Sequence, residues 1–262
     1  MHSKTRAGRQ RLIIFADSRP AIEVAHPGAP SWQEGHYFQP SIGYYRIMPA
    51  FYRSTWFPYV LPFLLYLTLI QAEEFLPQWH HHLYGARVFL CAGFLWMWRK
   101  HYGRDISGRP TTRQYLYALL AGALAFALWP LSLHLGWITL IPVQSSSYSF
   151  AVSILLLIIK LSGFIVVFPI MNELFWRSFM LRYFISADFR SVDLGQFQLF
   201  SLLGVTVLSG LAFQYGIVLG GVSLIMSLLL IWQKNLVSCI VAHGFTQILV
   251  AAYVMMNHAA LF

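Results

Sequence analysis

Long apolar runs alternate with short polar segments over most of this chain. Seven of these runs are predicted to be helical membrane spans, at residues 57–72, 83–98, 115–137, 150–170, 197–213, 215–232 and 236–257. A helix needs about 17 to 25 mainly apolar residues to cross the hydrocarbon core of a bilayer. The pattern therefore predicts an all-α fold, a polytopic transmembrane helix bundle of about seven spans.

The composition agrees with this pattern and excludes a soluble globule. Of the 262 residues, 58% are hydrophobic and only 10% are charged. The two cysteines, Cys91 and Cys239, fall in separate apolar runs without a C-x-x-C spacing. Two cysteines placed this way predict neither a disulfide framework nor a thiolate metal site. We therefore expect both thiols to behave as small apolar side chains.

The basic residues indicate topology rather than nucleic-acid binding, although the net charge is +9. Positive charge is concentrated in cytoplasmic loops of membrane proteins, where it also contacts anionic lipid headgroups. Two segments hold most of it, one before the first run and one between the second and third: Lys4, Arg6, Arg9, Arg11, Arg19, Arg46, Arg53; Arg99, Lys100, Arg104, Arg109, Arg113. We therefore expect a cytoplasmic N-terminus, membrane lipids as partners and no nucleic-acid partner.

The chain divides into a tail, residues 1–55, and a membrane domain, residues 56–262. The tail is basic and rich in Pro, Gly and aromatic residues, with neither a helical nor an alternating apolar period. Two interpretations stay open. A disordered leader fits the missing period, whereas the aromatic enrichment, unusual in disordered segments, favours docking on a protein partner or the membrane interface.

Charged side chains also occur inside or beside the predicted spans. Lys160 lies in the middle of the fourth run, where a charge costs at least about 2.5–3.5 kcal/mol unless it faces the bundle interior or a carboxylate partner. Snorkelling toward an interface is the alternative for Lys160 and the default expectation for Arg87, which lies near a run end.

A cluster with metal-ligand side chains stands between the first two runs. Glu73 and Glu74 precede the consecutive His80, His81 and His82. Consecutive histidines do not share one helix face, and the sequence contains no H-E-x-x-H motif. We therefore predict an outer-face loop here, with no metal and no cofactor.

The remaining candidate chemistry lies in two apolar segments. Glu173 and Arg177 are four residues apart, so on a helix they lie on one face with the acid first, the favoured order for pairing. His243 stands about eight residues into the last run, and Gln247 is one turn further. Their imidazole and amide can bind a carbonyl oxygen or a developing oxyanion, or His243 can be a satisfied structural residue.

These segments resemble motifs of the CAAX prenyl protease and bacteriocin-processing (CPBP) family of membrane proteins, in its bacterial CAAX prenyl protease-related branch. The resemblance covers about residues 57–255. The family pattern runs E-E-x-x-x-R, then F-x-x-x-H, then H-x-x-x-N or H-x-x-x-D. The matching stretches here are Asn172-Glu173-Leu174-Phe175-Trp176-Arg177, Ser209-Gly210-Leu211-Ala212-Phe213 and Val241-Ala242-His243-Gly244-Phe245-Thr246-Gln247.

The sequence departs from this family pattern at the positions that would move protons. The resemblance assigns the general base to Asn172 and its histidine partner to Phe213, and neither side chain accepts a proton at physiological pH. Gln247 replaces the final asparagine and keeps an amide. Only Glu173, Arg177, His243 and approximately Gln247 remain, so we interpret Glu173 and Arg177 as a charge-paired structural latch.

The resemblance and its departures together predict a catalytically impaired CPBP-family protein. We expect a scaffold, assembly factor or accessory subunit of a larger membrane complex, contacted through the tail, in what the branch implies is a bacterial cytoplasmic membrane. The alternative is an active intramembrane glutamate-type endopeptidase that uses Glu173, His243 and Gln247. That alternative requires a water-accessible cavity joining Glu173 and His243, and Phe213 filling the space would count against it.

Overall fold

The computed structural model describes residues 54–137, 149–213 and 216–257, and these form an all-helical bundle. The predicted tail lies outside the described residues except for its last two positions. Eight helices account for the described parts: α1 Phe57–Phe75, α2 His80–Met97, α3 Arg99–Ile106, α4 Thr112–His134, α5 Phe150–Tyr183, α6 Leu199–Leu211, α7 Gly216–Gln233 and α8 Leu236–Met256. The all-α fold class is thus confirmed.

Fewer helices than predicted can cross a membrane on their own. Four are long and apolar enough, namely α4, α5, α7 and α8. The first two predicted spans correspond to α1 and to the segment Pro77–Met97. The chain bends by 118° between them, and the two together make a fifth candidate span. The described helices therefore provide four or five candidate spans, and neither the count of seven nor the cytoplasmic N-terminus is established by them.

The fourth predicted span is shorter than the helix that the structure shows. We expected it to end near residue 170, yet α5 continues without a break to Tyr183 and is 34 residues long. Hydropathy placed the end there because Glu173, Arg177 and Arg182 follow. All three side chains are buried, so the charges are inside the bundle rather than in a loop.

Helix α5 changes character along its length, and this change positions the candidate site. Its first part, Phe150–Ser162, contains no buried residue, whereas nearly every residue of 168–182 is buried. Two π-helical segments lie within it, Gly163–Val167 and Leu174–Met180. A π-helical turn changes the face that the following side chains present, and such turns are frequent at functional sites.

Helix α8 is held close to α4, which fixes where His243 lies. A Cβ atom on Gly122 of α4 would be 2.5 Å from the carbonyl oxygen of Ala242, so only glycine permits this approach of the two backbones. Thr246 Oγ1 donates to the carbonyl oxygens of Gly122 and Ala242, both at 3.0 Å. Asn235 caps the start of α8 by accepting a hydrogen bond from Ser238 N.

Candidate functional site

Helices α5 and α8 bring three ionisable side chains together in the core. Glu173 Oε2 lies 3.2 Å from Arg177 Nε, and Glu173 Oε1 lies 2.6 Å from His243 Nδ1. The three side chains are between 0% and 4% exposed. The predicted Glu173–Arg177 pair therefore forms in the structure, and His243 joins the same carboxylate.

Both oxygens of the Glu173 carboxylate have a neighbour in the core. Its Oε1 atom and His243 Nδ1 are within hydrogen-bond distance of each other. The contact with Arg177 Nε is an ion pair without an aligned hydrogen bond. Arg177 Nη2 also donates to the carbonyl oxygen of Ser223 at 3.1 Å. The carboxylate of Glu173 and the guanidinium of Arg177 thus lie against each other in the core.

A small cavity adjoins this cluster. The centre of a water molecule can occupy about 20 Å³ of it. Its walls come from helices α5 to α8 and the residues just after α6: Phe168, Asn172, Trp176, Arg177, Ser209, Phe213, Leu219, Val222, Ser223 and His243. The cavity is therefore the place where a small molecule can reach His243 and Arg177.

The two positions at which the sequence departs from the family pattern both face this cavity. Asn172 and Phe213 are among its lining residues, together with His243. Glu173 is not among the described lining residues, because its carboxylate is turned toward Arg177 and His243. The cavity therefore meets an amide and a phenyl ring where the resemblance leads one to expect a carboxylate and an imidazole.

Phe213 reaches the cavity because α6 is short. A span that began at residue 197 would place Phe213 near its outer end, too far from His243, so we expected the helix to begin later or the loop before it to dip inward; α6 begins at Leu199. Helix α6 has 13 residues, or about 20 Å at 1.5 Å per residue, less than the roughly 30 Å of the hydrocarbon core. The ring of Phe168 lies between the two, 5.8 Å from that of Phe213 and 5.5 Å from that of His243.

Gln247 lies on the same helix as His243. It is buried on α8 one turn beyond His243. The described lining of the cavity does not include it. The structure thus brings Glu173, Arg177 and His243 together, while the role of Gln247 stays a prediction.

Sequence reasoning missed Trp176 and Ser223, which also line the cavity. Ser223 lies in the apolar helix α7, where a polar residue is unusual enough to be a signal. It went unnoticed because we searched for ionisable groups. A hydroxyl in a buried apolar helix usually needs a hydrogen-bond partner, and that need would have singled out this residue.

Arg87 and Lys160 lie in a second polar cluster away from the cavity. Arg87 is 4% exposed, and its Nη1 atom lies 3.3 Å from Glu73 Oε1. Its guanidinium also stacks on the rings of Tyr66 and Tyr84, so the expected snorkelling of Arg87 is wrong. Lys160 is half-buried, and its Nζ atom lies 5.9 Å from the centre of the Tyr84 ring.

The histidine triplet belongs to the same region of the structure. His80 begins α2, and its Nδ1 atom lies 3.4 Å from Glu73 Oε2. Across the described ranges, His, Cys, Asp and Glu side chains form no group of three placed to hold a metal ion. Cys91 and Cys239 are both buried and free.

The fold and these contacts define a multipass α-helical membrane protein with a carboxylate, a guanidinium and an imidazole in one buried cluster. Residues 151–249 match the model of the family described as Type II CAAX prenyl endopeptidase, Rce1-like, so this part of the chain is similar to that family. The match confirms the predicted family resemblance over α5 to α8. Comparison with curated proteins and with solved structures gave no significant match.

Proposed function

We propose that this chain is a CAAX protease-type membrane protein that binds a partner and does not cleave it. Its role would be that of a scaffold, assembly factor or accessory subunit of a larger membrane complex. The observation that carries the proposal is the pair Asn172 and Phe213 on the cavity wall. Hydrolysis needs a group that takes a proton from water, and neither side chain can do so at physiological pH.

The geometry of Glu173 gives the proposal further support. General-base catalysis requires hydrogen-bond reach to the water, but this carboxylate is fully buried and is engaged by Arg177 and His243. A carboxylate one position away on a helix is rotated by about 100° and does not replace Asn172. The arrangement fits the latch interpretation, in which Glu173 joins α5 to α8.

A cleavage assay tests the loss of activity. We expect the purified full-length protein, in detergent or vesicles, to leave a farnesylated peptide ending in a CAAX sequence intact, with product no higher than in the Glu173→Ala variant. The readout is the amount of released tripeptide. The exposed Glu74 supplies the matched control, Glu74→Ala. Cleavage by the natural protein and by Glu74→Ala, but not by Glu173→Ala, would refute the proposal.

The second candidate function is an active intramembrane endopeptidase, and one observation favours it. The 2.6 Å contact between Glu173 and His243 would keep the imidazole in a fixed orientation beside the cavity. In that mechanism Glu173 would activate water, while His243 and Gln247 would hold the scissile carbonyl oxygen. Phe213 on the cavity wall and Gln247 away from it both argue against this assignment.

The partner is proposed from the sequence of the tail, which lies almost entirely outside the described residues. Its aromatic residues offer large contact areas for a protein partner. Membrane lipids are the other proposed partners. A bacterial cytoplasmic membrane is the location that the family branch suggests. We invoke neither a cofactor nor a metal.

Native purification tests the docking role. We expect one or more membrane proteins to co-migrate with the full-length chain in mild detergent and to be lost when residues 1–50 are deleted. Mass spectrometry of the co-migrating band identifies them. A matched control deletes residues 1–11, which removes four basic residues but none of the tail's Trp or Tyr side chains. A monomeric full-length protein would contradict the docking role.

A further inference from the structure

Unsatisfied polar atoms gather at the cavity beside His243. Four buried side chains of its wall each carry an atom for which the described residues supply no hydrogen-bond partner: Asn172 Oδ1, Trp176 Nε1, Arg177 Nη1 and Ser223 Oγ. All four residues are at most 7% exposed. Buried polar groups are nearly always satisfied in proteins, by other residues or by ordered water. Four such atoms around one cavity therefore point to a bound molecule.

The chemistry of these atoms restricts what the bound molecule can be. Trp176 Nε1 and Arg177 Nη1 only donate, Asn172 Oδ1 only accepts, and the Ser223 hydroxyl does both. A carboxylate, phosphate or carbonyl oxygen cannot donate to Asn172, and an ammonium group cannot accept from Arg177. A ligand that satisfies all four atoms must both accept and donate; water does so, and so do an alcohol, a carboxylic acid and a primary amide.

The size of the cavity favours water, the smallest of these molecules. About 20 Å³ is open to the centre of a water molecule, and roughly 10–15 Å³ by this measure holds one water. One water can accept a hydrogen bond from Arg177 Nη1 and donate to Asn172 Oδ1 and Ser223 Oγ, so it can serve both kinds of unsatisfied atom.

We propose that this cavity binds one ordered water molecule, held by Arg177, Asn172 and Ser223, as a permanent part of the bundle. The water links α5 to α7 through its hydrogen bonds. This inference goes beyond the proposed binding role, because it concerns how the core is satisfied and stands whether or not the protein cleaves a substrate.

An experimental structure of the full-length protein, at a resolution that shows ordered waters, tests the proposal directly. We expect one compact density peak within about 2.7–3.2 Å of Arg177 Nη1 and Ser223 Oγ. An empty cavity would overturn the proposal. Elongated density continuous with an acyl chain would also overturn it, since the occupant would then be the hydroxyl of a lipid.

A pair of serine variants tests the same site in solution. Ser223 and Ser227 lie one turn apart on α7, both are at most 2% exposed, and the Oγ atom of each is unsatisfied within the described chain. Only Ser223 lines the cavity. The proposal predicts that Ser223→Ala removes a ligand of the water and lowers Tm by about 2–4 °C relative to Ser227→Ala.

The comparison of the two variants removes the contribution of helix propensity, because each exchanges serine for alanine in the same helix. Under the proposal Ser227→Ala leaves Tm unchanged or raises it, since it removes a buried hydroxyl that has no ligand to lose. Equal Tm values for the two variants, in detergent and in vesicles, would overturn the proposal.

Discussion

Replacing Glu173 with glutamine is expected to lower the free energy of unfolding by about 3–5 kcal/mol, the usual cost of removing one partner from a buried ion pair. Glutamine keeps the shape of the side chain but leaves the Arg177 guanidinium, which is 1% exposed, without its counter-charge. The hydrogen bond to His243 also becomes weaker, because its acceptor is no longer charged. Chemical unfolding in detergent micelles measures the loss.

The double variant Glu173→Gln with Arg177→Met distinguishes the contribution of the ion pair from that of the other contacts of each residue. A buried ion pair replaced as a whole is often close to neutral in stability, so the double variant should recover much of what either single variant loses. Arg113→Met is the matched control, because Arg113 is exposed in the first turn of α4 and should change stability by less than about 0.5 kcal/mol. Additive losses in the double variant would contradict a latch.

The sequence was sufficient for the membrane class and for most of the helices, because lipid demands long apolar segments with internally satisfied backbones. It was misleading at α5. The charges of Glu173, Arg177 and Arg182 resemble the end of a span in any hydropathy profile, although each is paired in the core. A hydropathy profile scores each residue separately and contains no information about which charged side chains pair in the fold.

Only the part of the candidate site that lies within one helix was predictable from the spacing of residues. The i,i+4 spacing placed Glu173 next to Arg177, since that contact is local to one helix. The contact with His243 joins residues 70 positions apart, and it depends on the close packing of α8 on α4 at Gly122. Spacing along the chain contains no information about that distance, whereas the family resemblance placed both segments in one site.

Asp105 shows what the sequence did not reveal. It follows Arg104 in a basic segment between two predicted spans and looks like an ordinary loop residue. In the structure it lies on α3, is buried, and accepts hydrogen bonds from Tyr59 at 2.6 Å and Ser178 at 2.7 Å. Arg182 Nη2 lies 3.2 Å from the same carboxylate. These contacts join α1, α3 and α5.

Replacing Asp105 with alanine is expected to destabilise the protein by about 3–5 kcal/mol, as much as the loss of Glu173, because it leaves the buried Arg182 unpaired. Tyr59 and Ser178 lose the same acceptor, and each buried group left unsatisfied adds roughly 1–3 kcal/mol where water cannot replace it. Loss of the carboxylate should therefore release α3 from α5, next to the segment that carries Glu173 and Arg177. Chemical unfolding in micelles measures the change.

Asp105→Asn and Asp193→Ala complete this experiment. Asparagine keeps an oxygen that can accept from Tyr59 and Ser178 but removes the charge that faces Arg182. The loss in free energy of unfolding for Asp105→Asn should therefore fall between zero and the loss for Asp105→Ala. Asp193 is an exposed carboxylate near the same end of α5 in the sequence, and its removal should have little effect. If Asp105→Ala were no more destabilising than Asp193→Ala, the Asp105 contacts would not hold the three helices together. The position of α5 would then depend on the Glu173 cluster and apolar packing alone.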